Sequence, residues 1–254
     1  MTEKGNMRPM ARTPSLNFKA NDPMTILHLL SGGAAQGLVT QLEERFETQY
    51  QVSIDACFGA VGMMRDNLLA GSPCDVLILT EALIAQLMAS GEVVPGSART
   101  LGVVKTGIAV KNGEDVPDVD SPVALKIALR AARGIYFPDP VKATAGIHVM
   151  NVLKQLGLDT ELADRLRAFP NGATAMRAMA DSDEPGLLGC TQITEIIYTP
   201  GVTLVAPLPR ALELATTYTA ALCARARQPQ AAHDLISLLA SPEAASARQL
   251  CGFE

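Results

Sequence analysis

Three side chains stand where a strand-like run ends in a small polar turn, and each could move a proton there: His148, Asp139 and Cys190. His148 follows the string KATAG (142–146), one helical turn past Thr144, and an imidazole titrating near neutral pH suits a general base. Asp139 is held between Pro138 and Pro140, a rigid mount for a base or for a helix cap. Cys190 ends an apolar run and offers a thiol as proton donor, with inert packing as its other reading. Glu195, one turn into the next helix, is a further acid to weigh, with a solvated or dipole-pairing role as its other reading. His28, inside the first strand, faces either a cleft or a helix, and His233 reads as surface. For binding a carboxylate the natural partners are Lys142, in the turn before His148, and Arg177, one turn into its helix, where a guanidinium could grip bidentately. Thr144, Thr174, Thr191 and Gln192 add hydroxyl or amide donors at helix starts, where capping competes for them.

The turns themselves recur. A strand, a small or hydroxyl-bearing turn and a helix occur together at SGGAAQG (31–37), FGAVG (58–62), KATAG (142–146), NGATA (171–175) and CTQIT (190–194). Each helix start carries unpaired backbone N–H groups and the positive end of the helix dipole. Several of them aimed at one cleft make an anion site that needs few basic side chains. Backbone at Ser31, Gly32, Gly33, Gly59, Ala60 and Asn171 is therefore expected to line a site for a small polyanion. For one turn alone, the glycines need mean no more than a tight connection.

Stepping through the chain, Ile26–Leu30 reads as a strand, followed by a helix with Leu38, Leu42 and Phe46 at helical spacing. Val52–Ala56 is a second strand, with a helix through Leu69 behind it. Asp75–Leu79 is continuously apolar inside and so central, and Thr80 caps a helix to Ala89. A β-rich stretch, Leu101–Lys111, precedes a helix opened by Pro122. Then come a strand at Ile135–Phe137, a helix to Leu156, a strand closed by Phe169 and the helix of NGATAMRAM (171–179). Leu187–Cys190 runs into TQITEII (191–197); Val202–Val205 and Leu212–Ala224 read as strands; Ala231–Leu239 and Pro242–Leu250 read as helices. Met63, Met64, Met176 and Met179 read as core. The alternation predicts an α/β fold of two lobes.

With 254 residues, 48% of them hydrophobic and 19% charged, the chain is long enough to bury a proper core. A net charge of −5 and 4% aromatics supply neither phosphate neutralisation nor base stacking, so no nucleic-acid partner is expected. No run of about 18 apolar residues is available to span a membrane. Residues 1–23 lack a continuous apolar stretch, do not read as a secretory signal and are expected to form a disordered tail, which places the protein in the cytoplasm, or in the periplasm if the start lies elsewhere. Five cysteines at wide spacing, without a CxxC pair, suit buried free thiols in a reducing compartment. The three histidines lie far apart, so no metal site and no cofactor is expected.

FGAVGMMRDNLLAGSPCDVLILT (58–80), YFPDP (136–140), NGATAMRAM and the ending LLASPEAASARQLCGFE (238–254) carry a resemblance. The chain resembles the type II periplasmic substrate-binding proteins, in the subgroup that includes molybdate-binding proteins, from Thr25 to Glu254. This implies two lobes, each a mixed, mostly parallel sheet flanked by helices, with the ligand cleft between them. Residues 24–104 with 213–254 would form lobe 1, and 105–212 lobe 2. Molybdate binders hold their oxyanion with a serine at each of the first two helix starts. Here those positions fall near Ala34, three residues from Ser31, and at Val61 or Gly62. The dropped serines and the acid/base residues resemble the aconitate isomerases of the same superfamily, which implies an allylic proton shift on an unsaturated tricarboxylate. The other expectation is a non-catalytic binding component for a small oxyanion or carboxylate, partnered with an ABC permease.

Overall fold

The computed structural model describes residues 25–254, so the expectation for residues 1–23 lies outside the described residues. The first lobe opens with β1 (Thr25–Gly32), a 3₁₀ turn (Gly33–Ala35), α1 (Gln36–Tyr50), β2 (Val52–Gly59), α2 (Val61–Leu69), β3 (Val76–Thr80) and α3 (Glu81–Ala89). The long β4 (Arg99–Lys111) leads into α4 (Pro122–Ala131), β5 (Gly134–Pro138), α5 (Thr144–Leu156), β6 (Leu166–Phe169), α6 (Gly172–Ala180), β7 (Leu187–Gln192), α7 (Ile193–Tyr198) and β8 (Val202–Pro207). The chain returns through β9 (Ala215–Leu222) and closes with α8 (Pro229–Ala240) and α9 (Ala245–Leu250).

Strand order is β2-β1-β3-β9-β4-β7-β5-β6, with β8 pairing β4. β1 pairs in parallel with β2 and β3, and β5 with β6 and β7. The antiparallel pairings all involve β4 or β9. β4 belongs to both lobes: residues 99–105 pair β9, and residues 106–111 pair β7 and β8. The hydrophobic core divides accordingly. One cluster joins residues between Leu27 and Val104 to Tyr218–Phe253, and two others gather residues between Ile108 and Leu212.

Local chemistry explains the helix starts. Thr80 caps α3 by accepting from the Leu83 amide, Ser121 caps α4 ahead of Pro122, and Asn171 caps α6 by accepting from the Thr174 amide at 2.8 Å. β3 is buried along its whole length in the middle of the sheet, as its unbroken apolar run requires. Several boundaries differ from the sequence reading, and three of the differences have a plain reason. The second strand runs on to Gly59 because all eight residues pair with β1. The stretch expected as one strand from Leu212 begins only at Ala215, because residues 210–212 form a 3₁₀ turn after Pro207 and Pro209. The final helix is a 3₁₀ turn at Pro242–Ala244 followed by α9. No helix among the described residues is long and apolar enough to cross a membrane.

Asp75, just before β3, is 1% exposed and acts as a clamp. Its Oδ2 accepts from the His28 amide at 2.8 Å, and its Oδ1 from the amides of Arg227 and Gln228 at 2.5 and 2.9 Å, which ties the head of α8 to the sheet. Replacing it with alanine leaves three backbone donors without their acceptor. Asp75→Ala is expected to lower unfolding stability by about 2 kcal/mol, read from urea denaturation at neutral pH.

Candidate functional site

The starts of α2, α5 and α6, the head of short α7 and the 3₁₀ turn leading into α1 all reach one cleft between the lobes. Gly33, Ala34, Gly59, Ala60 and Val61 line it from lobe 1, together with Tyr218 of β9. Pro138, Ala143, Thr144, Ala145, Asn171, Gly172, Gln192 and Glu195 line it from lobe 2. No Lys, Arg or His is among these lining residues. An anion entering the cleft would therefore be met by backbone N–H groups and helix dipoles rather than by basic side chains. The lobes touch at its mouth, where the Gly62 amide donates to the Lys142 carbonyl at 3.0 Å.

Glu195 is the central group. It is 5% exposed, and its Oε2 accepts from the Thr191 hydroxyl at 2.5 Å. Backbone amides of Ala173, Gly172 and Gln192 also donate to the carboxylate. Glu195 is the third residue of α7, so its reach back to Gln192, the residue before the helix, is half of a capping box. Burial pushes its pKa up from 4.5, and these four donors offset only part of that shift. Glycine at 33 and at 172 is a steric requirement: a Cβ at either position would collide with the Glu195 carboxylate. The acid is thus enclosed by a lobe 1 tip and a lobe 2 tip.

Beside it lie two polar side chains from different lobes. Gln192 is 2% exposed, and neither its amide nitrogen nor its amide oxygen has a hydrogen-bond partner among the described residues. Tyr218 is 3% exposed; burial first, then the negative charge of Glu195, keep its hydroxyl protonated, and that hydroxyl lies beside the Gln192 amide. Such orphaned polar atoms are costly unless a ligand satisfies them.

The candidates from sequence divide into two groups. Gly33, Gly59, Ala60, Thr144, Asn171 and Gln192 are brought together on the cleft, and Thr191 stands behind it as the hydroxyl donor to Glu195. Gly32 sits just behind the wall, where a Cβ would strike Val61. The others require correction. His148 is outside the cleft: its Nε2–H donates to the Leu212 carbonyl at 2.7 Å, a structural contact between α5 and the chain returning to lobe 1. Asp139 organises a turn by accepting from the amides of Val141 and Lys142 at 2.7 and 2.8 Å. Cys190 points into the lobe 2 core, where burial pushes its thiol up to about 12, too high for proton transfer near neutrality. Ser31 is fully buried and donates to the Gly32 carbonyl. Lys142 is exposed at the rim and pairs with Asp66 at 3.1 Å. Arg177 is exposed, because α6 buries Gly172, Ala175, Met176 and Met179 and so turns position 177 outward. Thr174 lies one turn inside α6 and gives its amide to the Asn171 cap.

The sequence reading weighs Glu195 as an acid without placing it on the cleft, and does not reach Tyr218. For Glu195 a usable sign existed, since an acid set among Ile193, Ile196 and Ile197 is poorly suited to a solvated face. Nothing in its local sequence distinguishes Tyr218. Of the other side chains weighed, His28 contacts Asp55 at 3.2 Å near the opposite end of β1, and His233 is exposed. Met64, Met176 and Met179 are core residues, and Met63 packs against the lobe 1 core that holds Met64. Cys57 departs from the buried-thiol expectation: it is exposed, because β2 is an edge strand.

This cleft lies in a fold of defined ancestry. Residues 27–254 match the sequence profile of bacterial extracellular solute-binding proteins, and the chain belongs to that family. It is 28% identical over 254 residues to an aconitate isomerase of Pseudomonas sp, covering 96% of this chain and 92% of that one. Its structure is similar to the periplasmic molybdate-binding protein of Azotobacter vinelandii, with a TM-score of 0.76, 20% identity, and coverage of 90% of this chain and 98% of that one. It is also similar to a sulfate-binding protein of Mycobacterium tuberculosis, with a TM-score of 0.70, 18% identity, and coverage of 90% and 86%. These two establish the type II two-lobed fold.

Proposed function

We propose that the protein is an isomerase of an unsaturated tricarboxylate, interconverting trans- and cis-aconitate, with Glu195 as the proton carrier. The observation that carries this reading is a single buried carboxyl, raised in pKa, inside a cleft otherwise walled by backbone donors and neutral side chains. The similarity to an aconitate isomerase supports the choice of substrate. A buried serine hydroxyl turned onto its neighbour's carbonyl, and no hydroxyl at Val61 or Gly62, argue against the serine-clamped oxyanion.

The chemistry is a shift of one proton along three carbons. The Glu195 carboxylate takes a proton from the methylene carbon, the electron pair spreads over the allylic system, and the charge reaches the carboxylates at its two ends. The converging helix tips stabilise that charge with dipoles already oriented, as an oxyanion hole does. Gln192 and Tyr218 supply donors to the same anion. Glu195, now neutral, returns the proton to the far carbon, so the enzyme ends as it began. A base that must take and then return a proton works best with a pKa near the working pH, and burial moves Glu195 in that direction. A bound trianion moves it further the same way and strengthens the base.

The test is direct. Purified protein with trans-aconitate and no added metal is expected to yield cis-aconitate, followed by proton NMR. Folded protein that produces none removes the isomerase reading. Family membership favours a second reading, binding of a small oxyanion or carboxylate without turnover. Calorimetric binding of molybdate or sulfate at micromolar strength, with no isomerisation, would establish that reading instead.

A further inference from the structure

Cys74 and Cys223 are 149 positions apart in the chain, yet their Sγ atoms lie 3.2 Å apart. Cys74 precedes β3 and Cys223 follows β9, two strands that pair antiparallel from Val76↔Leu222 to Thr80↔Tyr218. Tyr218 marks the cleft end of that pair, so the thiols sit at the other end, five residues or roughly 17 Å away at a strand rise of about 3.3 Å per residue. Both are buried, at 7% and 2% exposure. Both also line a cavity of about 150 Å³ whose walls include Gly71, Asp75, Glu92 and Arg225. Gly71 and Arg225 are exposed, so the cavity reaches the surface.

We propose that Cys74 and Cys223 are a disulfide-forming pair that closes when the protein meets a small disulfide oxidant such as oxidised glutathione. Bond formation requires the sulfurs to close by about 1.2 Å, to the usual 2.05 Å. One cysteine, as thiolate, attacks the oxidant to give a mixed disulfide and release one glutathione. The second cysteine attacks the mixed disulfide, forming the protein S–S bond and releasing the other glutathione. The protein loses two electrons and two protons, and both pass to the two glutathione thiols. Contact with Cys74, burial, and the carboxylates of Asp75 and Glu92 keep the Cys223 thiol protonated. A reduced pair without a stabilised thiolate makes the disulfide hard to reduce, the behaviour of a structural rather than a catalytic bridge. The loop so closed contains all of residues 105–212, hence the entire second lobe. A closed loop of that size restricts the unfolded chain strongly.

The experiment uses the full chain, reduced, freed of reductant and incubated with oxidised glutathione. Remaining thiols are then alkylated in denaturant, and the digest is mapped by mass spectrometry. The expected result is a Cys74 peptide joined to a Cys223 peptide, with a Tm higher by about 5–10 °C that dithiothreitol reverses. Cys74→Ser and Cys223→Ser should each abolish the rise, and isomerase turnover or ligand binding should be unchanged by oxidation. If serine weakens the fold, the peptide map of the unsubstituted protein decides alone. Recovery of both cysteines alkylated, or as separate glutathione adducts, overturns the proposal.

Discussion

Glu195→Gln is expected to lower kcat for aconitate isomerisation by about 10³-fold or more while the protein stays folded and still binds the tricarboxylate. The amide keeps the size of the side chain but cannot accept and return a proton. The same substitution carries a signature in stability that tests the burial argument separately. In the native protein the Glu195 pKa lies above its unfolded value of 4.5. Its stabilising contribution is therefore complete below pH 4.5 and is lost as pH rises through the native pKa. Glutamine cannot ionise and escapes that loss. Denaturation profiles should thus show Glu195→Gln gaining on the unsubstituted protein as pH rises above 4.5, then running level beyond the native pKa. An unchanged kcat would dismiss Glu195 as proton carrier, and a stability difference independent of pH would dismiss the raised pKa.

Gly146→Ala should destabilise the protein by about 3 kcal/mol. A Cβ at this position would fall on the backbone carbonyls of Asp139 and Pro138, well inside the 3.0 Å that real contacts respect. Neither carbonyl can rotate away as a side chain would, because Pro138 ends β5 and Asp139 holds the turn by accepting two amides. α5 must then lift off the end of β5, which carries Ala143, Thr144 and Ala145 out of the cleft wall. Turnover or ligand affinity should fall along with the denaturation midpoint. A substitution elsewhere on α5 that costs the same stability without moving its tip would leave affinity intact, and this contrast separates the site effect from general weakening.

What the sequence determined on its own is the set of elements and the turns that end at the cleft. Apolar spacing, caps such as Thr80, Ser121 and Asn171, and the continuous run of β3 are local features, and local physics suffices to place them. The same holds for the turn-then-helix units: a cleft walled by helix starts was legible because those starts carry their dipoles wherever they stand.

Tertiary structure decided which side chains enter the cleft. Arg177 and His148 sit at the right depth from their helix starts, but the rotation of α6 and α5 against the sheet turns one to solvent and the other to Leu212. Glu195 became the central acid only because Gly33 and Gly172, from two lobes and distant in sequence, close on it and exclude water. Tyr218 and the Cys74–Cys223 contact follow from the pairing of β3 with β9, joined across a second lobe inserted between them. Burial, and with it pKa and reactivity, is a property of packed neighbours rather than of the residue or its spacing. For this reason the convergence of helix starts on one cleft was readable from the chain, but the carboxyl buried among them was not.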